Sequence, residues 1–287
     1  MCDSGHNQGV VDMAFTRRSA LLALSSAAAA SAMPACARAR AVVERDVLVP
    51  TADGKADAAL FYPAGAGPWP AVLMWPDIFG LRPVFREMGR RLAAAGYVVL
   101  VPNPFYRTRK APVVSGSIDF NKPDDRAKLM SLKATLSDAS VDRDTAAFIR
   151  YLDARKQTDK RKGMGVQGYC FSGPFAFQAA ALRPERVRAV ATFHGGGQVT
   201  DKPNSPHLLI PKSRAAYVVA IARNDDAEQP NAKTVLKQAF KAANRPATVE
   251  VYPADHGWTV PGSQTYNEAA AEKAWAELIR LYRARLG

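Results

Sequence analysis

The sequence predicts an α/β fold: a mostly parallel central sheet with helices on both faces. Short apolar runs alternate with helical segments from residue 42 to residue 284. Several of these runs, such as Ala71–Trp75, are apolar at every position, which is typical of strands buried on both faces. Regular alternation of strand and helix favours parallel pairing through crossover connections. With 287 residues, 48% of them hydrophobic, the chain suits one sizeable domain or two small ones, and we expect a single compact domain.

The first forty residues have the pattern of an export signal. The pair Arg17-Arg18 precedes an alanine- and leucine-rich run, which small-residue cleavage sites follow. Paired arginines are typical of the twin-arginine route, and the apolar run is short for a membrane span. We therefore expect residues 1–40 to be removed and the protein to be periplasmic or secreted. The residues before Cys36 also faintly resemble a lipoprotein cleavage site, so lipid anchoring is a second, less favoured outcome.

Charge and cysteine content limit the classes of partner. The formal charge of +13 is spread along the chain, which favours acidic small molecules over a nucleic-acid site, although an inert basic surface explains it equally well. Cys2 and Cys36 lie in the predicted signal, so Cys170 is the one cysteine of the domain and no internal disulfide is expected. The sequence has no cluster with metal-ligand spacing and no complete phosphate-binding loop, so we predict neither a metal nor a cofactor.

The domain, residues 41–287, begins with two short and partly alternating strands, which predict an antiparallel entry to the sheet. A buried strand follows them, and the helix after it ends at Gly96, which is a typical helix terminator. Another continuous apolar run then predicts a second buried strand. In order, these elements are strands at Val42–Val49, Ala58–Tyr62 and Ala71–Trp75, a helix at Pro83–Ala95 and a strand at Tyr97–Val101.

Residues 104–123 are irregular and rich in proline, lysine and arginine, and their length is typical of a functional loop. The pattern of strands and helices resumes after this loop and continues to the end of the chain. The predicted strands are at Met164–Gln167, 187–193, 216–222 and 247–252. The predicted helices are at 124–135, 142–154, Pro174–Leu182, 231–243 and 267–284.

Chemically useful residues follow four of the predicted strands. In parallel sheets, the functional site lies at the carboxyl ends of the strands. The sequence Gly168-Tyr169-Cys170 places a cysteine where a strand turns sharply into a helix, the position of the nucleophile in hydrolases. An acid, Asp225, and then His256 follow later in the chain, and this order is that of the α/β-hydrolase fold.

The predicted roles follow from acid–base chemistry. Cys170 needs a basic partner, and His256 would take its proton and deliver it to the leaving group. Asp225 would orient the imidazole, although Asp226 is an alternative one position away. The backbone N–H groups of Ile78 and Phe171 would face the oxyanion of the tetrahedral intermediate.

Structural interpretations of the same residues stay open. Cysteine is among the most buried residue types, so Cys170 would more often be packing than chemistry if the surrounding motif were absent. His194 also ends a predicted strand and is the rival base. We interpret His194 as part of the pocket wall, because it precedes the acid in the chain.

The chain resembles the dienelactone hydrolase family from about residue 42 onward. The resemblance rests on four segments: Asp77-Ile78-Phe79-Gly80, Pro102–Arg107, Gly168-Tyr169-Cys170 and His256-Gly257-Trp258. It implies a Cys-His-Asp triad on a compact α/β-hydrolase fold without a large lid. It also implies that the carboxylate of Asp77, in place of the family's glutamate, partners and gates the resting thiol, and that Arg107 holds a substrate carboxylate.

Two further departures from the family pattern bear on the expected function. Ser172 replaces a glycine and is expected to crowd the cysteine turn, and Val260 stands where a second arginine is frequent. We expect hydrolysis of a carboxylic ester or lactone, with anionic substrates favoured, through an acyl-enzyme on Cys170. The alternative is a non-catalytic exported domain of the same fold that binds a small anionic ligand.

Overall fold

A computed structural model of the protein describes residues 40–114 and 118–287. The predicted signal segment lies outside the described residues apart from Arg40, so export, cleavage and anchoring at Cys36 stay predictions. The protein contains an eight-stranded sheet in the order β1-β2-β4-β3-β5-β6-β7-β8. The strands are β1 (Val42–Thr51), β2 (Gly54–Pro63), β3 (Ala71–Trp75), β4 (Val98–Pro102), β5 (Met164–Tyr169), β6 (Val187–Phe193), β7 (Ala216–Ala222) and β8 (Ala247–Tyr252).

Strand direction matches the sequence-based prediction. The β1–β2 and β2–β4 pairs are antiparallel, and the five remaining pairs are parallel. A mostly parallel sheet with an antiparallel edge therefore confirms the predicted fold class. The helices are α1 (Pro83–Ala94), α2 (Pro123–Ala134), α3 (Asp138–Asp153), α4 (Gly173–Leu182), α5 (Pro206–Leu209), α6 (Arg223–Glu228), α7 (Ala232–Ala242) and α8 (Glu268–Leu286).

Helices cover both faces of the sheet because its central strands are apolar on both sides. In β3, Leu73 and Trp75 belong to one buried cluster, whereas Val72 and Met74 belong to the other. The first cluster includes buried residues of α3, α4 and α7, and the second includes those of α1 and α8. This layered packing fixes the strand ends and, with them, the loops that carry the functional side chains.

Local signals explain two differences from the predicted helices. Helix α3 begins at Asp138, four residues before its predicted start, because the Ser137 and Ser140 side chains form a reciprocal cap at its amino end. The six-residue helix α6 follows β7 directly and was not predicted, since its polar sequence has no apolar periodicity. No helix within the described ranges is both long and apolar enough to cross a membrane.

Candidate active site

The carboxyl ends of the parallel strands open into one large cavity. Residues after β3, β5, β6, β7 and β8 line it, and its volume is about 1430 Å³. Cys170, Asp225 and His256 all face this cavity, as do Asp77, Ile78 and Phe171. The fold therefore brings together six of the seven predicted site residues.

Cys170 lies at a sharp turn between β5 and α4. Its φ of +56° is in the left-handed region, which residues other than glycine rarely adopt. The turn is tight enough that a Cβ on Gly168 would lie 2.2 Å from the carbonyl oxygen of Ser172, so position 168 requires glycine. Cys170 is partly exposed at this turn rather than enclosed in the core.

Ser172 stabilises the cysteine turn instead of crowding it, so that prediction is wrong. Its side chain is fully buried, and its hydroxyl accepts a hydrogen bond from the Tyr169 N–H at 2.9 Å. The one proton of the hydroxyl has two carbonyl oxygens within reach: that of Tyr169 at 2.9 Å, and that of Trp75, the last residue of β3, at 3.1 Å. The β3–β5 ladder ends at Trp75 and Gly168. The Ser172 hydroxyl thus links the two strand ends just beyond the last rung.

His256 and Asp225 form the acid–base pair of the site. The His256 Nδ1 lies 2.9 Å from each carboxylate oxygen of Asp225. Asp226, the alternative acid, binds the Lys233 ammonium at 2.7 and 2.8 Å. Asp225 is therefore the carboxylate placed to orient the ring, and Asp226 is occupied elsewhere.

The surroundings of His256 favour its charged form. Burial favours the neutral ring, but the hydrogen bond to Asp225 and the adjacent Cys170 sulfur outweigh it and raise the pKa of His256 to about 10. The imidazole thus lies between a carboxylate and a sulfur. This arrangement suits a ring that holds the proton of the thiol.

Two residues that the sequence did not single out hold the His256 loop in place. The side-chain oxygen of Asn224 accepts a hydrogen bond from the His256 N–H at 2.8 Å. The Thr265 hydroxyl donates to the His256 carbonyl at 2.6 Å. Asn224 directly precedes Asp225, so one turn of α6 supplies both the support for the backbone of His256 and the partner of its ring.

His194 is a wall of the cavity, as its position before the acid indicated. It is 1% exposed, and its Nε2 lies 2.8 Å from the Thr259 hydroxyl. Burial and then the nearby charge of His256 lower the pKa of His194 well below its usual value. Its ring centroid is 4.9 Å from that of His256. No carboxylate among the described residues contacts His194 in the way that Asp225 contacts His256.

Asp77 reaches the cavity, but Arg82 holds its carboxylate. The two side chains form a bidentate ion pair, with N–O distances of 2.5 and 2.8 Å. Gating of Cys170 by Asp77 would require the carboxylate to leave this pair, so the gating role stays a prediction. Arg82 had no role in the sequence-based site, although it follows the Asp77–Gly80 segment by two residues.

Arg107 lies outside the cavity. Its guanidinium binds Asp144, which is 1% exposed, at 2.7 and 2.8 Å, and Asp53 at 2.5 and 3.0 Å. Tyr106 donates a further hydrogen bond to Asp144. The geometry does not fit the predicted substrate-binding role, because the guanidinium is already occupied by two carboxylates that join the β1–β2 turn to α3.

A smaller cavity of about 360 Å³ lies beside the main one, behind Asp225. Three carboxylates line it: Asp225, Asp226 and Glu228. Two of these are committed to His256 and Lys233, as described above. Within residues 40–114 and 118–287, no group of three or more histidine, cysteine or acidic side chains has the arrangement of a metal site.

Comparison with known proteins places this geometry in a family context. A family model described as the dienelactone hydrolase family matches residues 56–286. A Synechocystis sp. protein provisionally named carboxymethylenebutenolidase is 28% identical over 244 residues, which cover 84% of this chain and 96% of that protein. Carboxymethylenebutenolidase 1 of Cupriavidus pinatubonensis is 26% identical over 212 residues, covering 74% of this chain and 85% of that protein.

A solved structure supports the same relationship at the level of the fold. The crystal structure of a Klebsiella pneumoniae protein, provisionally named a dienelactone hydrolase, superposes with a TM-score of 0.73. The two sequences are 25% identical, and the match covers 85% of this chain and 99% of that chain. The similarity thus extends over nearly the whole of the solved structure.

Proposed function

The chain belongs to the dienelactone hydrolase family, and we propose that it hydrolyses a carboxylic ester or lactone with Cys170 as the nucleophile. Membership of this family, together with relatives named carboxymethylenebutenolidase, makes the chain a carboxylic ester hydrolase. One observation carries the assignment of Cys170. The His256 ring is held by Asp225 through Nδ1 and faces the same cavity as Cys170, which lies at a sharp turn with a φ of +56°.

In the first half of the proposed reaction, the Cys170 sulfur attacks the carbonyl carbon of the substrate while His256 holds the thiol proton. The tetrahedral intermediate collapses, and its bond to the alcohol oxygen breaks. His256 gives its proton to the departing oxygen, so the alcohol leaves neutral and a thioester stays on the enzyme. Asp225 keeps the ring oriented and balances its charge before this transfer.

In the second half, the neutral His256 removes a proton from water as the water oxygen attacks the thioester carbonyl. The carbon–sulfur bond breaks, the carboxylic acid product leaves, and the thiolate–imidazolium pair is restored. No electron acceptor or metal is needed to balance either step. With a lactone, the alcohol and acid groups formed in the two halves stay on one molecule.

The proposed oxyanion site uses the backbone N–H groups of Ile78 and Phe171. Both residues line the cavity beside Cys170. The Ile78 N–H donates to no other group among the described residues, and so it is available to a substrate. Phe171 is the second residue of the short helical turn Cys170–Ser172, and the first N–H groups of a helix have no partner within it. Removal of one such donor costs about 10²–10³ in kcat in other enzymes.

The geometry of the turn counts against the alternative of a non-catalytic binding domain. That alternative rested on a crowded turn at Ser172 and a weakened carboxylate at Asp77. Ser172 instead forms hydrogen bonds at the ends of β5 and β3, which removes the first of these grounds. Asp77 is held by Arg82, so the second ground stays in place. The proposed roles of Cys170, His256 and Asp225 do not depend on Asp77.

The test is hydrolysis of 4-nitrophenyl acetate by the purified protein and its variants. We expect Cys170→Ala and His256→Ala to abolish turnover, and Asp225→Asn to lower kcat by about 10²–10⁴. Asp226→Asn is the matched control, because Asp226 binds Lys233, and it should retain wild-type kcat. Mass spectrometry of an acid-quenched reaction should show the acyl group on Cys170. Turnover in Cys170→Ala equal to that of the wild type would refute the assignment.

Export stays a separate proposal, supported by the Arg17-Arg18 pair and the apolar run after it. Cell fractionation of the full chain tests it. We expect the wild type in the periplasm or medium, and Arg17→Lys with Arg18→Lys in the cytoplasm. A cytoplasmic wild type would overturn it.

A further inference from the structure

The catalytic cavity extends well beyond Cys170 and His256 and reaches helix α2. Its volume of about 1430 Å³ exceeds the about 300–1,000 Å³ of most ligand pockets. A single lactone ring would leave most of this space to water. The size of the cavity thus raises the question of what its outer part, toward α2, would bind.

One face of α2 points into this outer part. Arg126, Met130 and Lys133 all line the cavity, and their spacing of four and three residues places them within about 60° around the helix axis. Phe120, in the loop before α2, lines the same region. Met130 and Phe120 are 43% and 41% exposed, and they are two of the six exposed large hydrophobic side chains in the described chain.

This face carries an apolar centre with a cation one helical turn to each side. The two arginines nearer the strand ends are already paired, Arg82 with Asp77 and Arg107 with Asp144. Arg126 and Lys133, by contrast, form no ion pair with any of the described residues. Their charges are therefore available to a ligand.

Two carboxylates, Asp119 and Asp138, also line this part of the cavity, and neither forms an ion pair with Arg126 or Lys133. Asp138 accepts hydrogen bonds from the side chains of Gln178 and Asn204 at the start of α3. The side chain of Asp119 accepts the N–H of Asn121 within its own turn. Lys202 also lines the cavity and has no ion-pair partner among the described residues. The outer cavity thus combines exposed apolar surface with unpaired positive charge.

We propose that Phe120 and the α2 face of Arg126, Met130 and Lys133 bind the part of the substrate remote from the scissile bond. This part is an extended apolar group that ends in a carboxylate. Phe120 and Met130 cover the apolar group, and Arg126 and Lys133 attract the anionic end. The inference rests on the proposed ester hydrolysis at Cys170, and it replaces Arg107 with α2 as the source of any preference for anionic esters.

Three 4-nitrophenyl esters test the proposal by their kcat/KM values: the acetate, the decanoate and the half-ester of sebacic acid, which has the decanoate chain length and a terminal carboxylate. We expect the wild type to favour the sebacate half-ester over the decanoate, and both over the acetate. Met130→Ser should lower kcat/KM at least fivefold for both long esters and leave the acetate unchanged. Arg126→Gln with Lys133→Gln should lower it at least fivefold for the sebacate half-ester alone.

Two control variants match these substitutions. Lys128 lies on the opposite side of α2 and pairs with Asp125, so Lys128→Gln should change none of the three values. Leu48 is 54% exposed on β1, away from the cavity, so Leu48→Ser should match the wild type. Equal kcat/KM for the three esters, or identical values in wild type and the α2 variants, would overturn the inference. The proposed function would still stand if hydrolysis of the acetate depended on Cys170.

A binding measurement tests the inference if no ester is hydrolysed and the proposed function fails. Sebacate, the dianionic product, is titrated calorimetrically into the Cys170→Ala protein. Binding that weakens at least fivefold with Arg126→Gln and Lys133→Gln, but not with Lys128→Gln, would support the α2 site. Absence of binding would overturn it.

Discussion

The guanidinium of Arg82 binds both carboxylate oxygens of Asp77, at 2.5 and 2.8 Å, at the mouth of the turn that follows β3. The same guanidinium lies 3.3 Å from the carbonyl oxygen of Gly80. Asp77 in turn accepts the N–H of Phe79 at 3.0 Å. These contacts fix the four-residue turn that contains Ile78, the proposed oxyanion donor.

Loss of Arg82 should therefore loosen the oxyanion site without removing it. We expect Arg82→Gln to lower kcat for 4-nitrophenyl acetate about tenfold with little change in KM, less than the about 10²–10³ lost when a donor is removed. Arg86→Gln is the control, since Arg86 pairs with Glu44 and Asp46 outside the cavity. A wild-type kcat in Arg82→Gln would show that the ion pair does not position Ile78.

Arg107 should contribute to stability rather than to substrate binding. Its removal leaves the buried carboxylate of Asp144 without its cation, and breaking such a pair costs about 3–5 kcal/mol. We expect Arg107→Gln to lower the free energy of unfolding by about 3 kcal/mol in urea, since Tyr106 still donates to Asp144. Arg143→Gln, which removes an exposed partner of Asp53, should cost less than about 1 kcal/mol.

The kinetic result separates this role from the one that the sequence predicted. Folded Arg107→Gln should retain the wild-type preference between neutral and carboxylate-bearing esters. A stable variant that loses activity on carboxylate-bearing esters alone would contradict the structural role and restore the predicted one.

The positions of Cys170, Asp225 and His256 were predictable because they depend on strand order. Each follows a predicted strand that becomes a parallel strand of the sheet, and the carboxyl ends of such strands lie at one edge. The fold class followed from the same alternation of strand and helix. Chain order alone could not separate Asp225 from Asp226, because that choice depends on which side of the short helix α6 faces His256.

The predictions that failed or stayed open concern which partner each charged side chain selects. The family resemblance predicts Arg107 in the site, but nothing in the residues around Arg107 indicates that α3 brings Asp144 to its guanidinium. The pairing of Arg82 with Asp77 is likewise not indicated, because the same resemblance assigns the Asp77 carboxylate to the thiol. Long-range pairing depends on the packing of elements far apart in sequence, and periodicity does not encode it.

Ser172 should stabilise the cysteine turn through its buried hydroxyl. Ser172→Ala would leave the Tyr169 N–H without its acceptor and the carbonyls of Tyr169 and Trp75 without this donor, at a cost of about 1–3 kcal/mol in the free energy of unfolding. Thermal and urea unfolding of the variant would measure the loss. The control is Ser131→Ala on α2, where the hydroxyl is exposed and bonds only within its helix. Equal stability of Ser172→Ala and wild type would show that the link between β3 and β5 is dispensable.

The ion pair of His256 with Asp225 should make stability depend on pH in one direction. The pKa of His256 in the folded protein is about 10, above its ordinary value of 6.5, so protonation of the ring favours folding. This contribution is complete below about pH 6.5 and is lost as the pH rises through about 10. Asp225→Asn removes the carboxylate that does most to raise the pKa of His256. The pair also needs an ionised carboxylate, so the comparison starts at about pH 5.5. The difference in Tm between wild type and Asp225→Asn should be constant from about pH 5.5 to 6.5 and narrow between about pH 6.5 and 10, whereas Asp226→Asn should show no such change over that range. A Tm difference that stays constant up to pH 10.5 would mean that the His256 ring is neutral throughout.

Histidine resonances followed by NMR in the two proteins would give the same comparison directly. We expect the titration midpoint of His256 to lie at lower pH in Asp225→Asn than in the wild type.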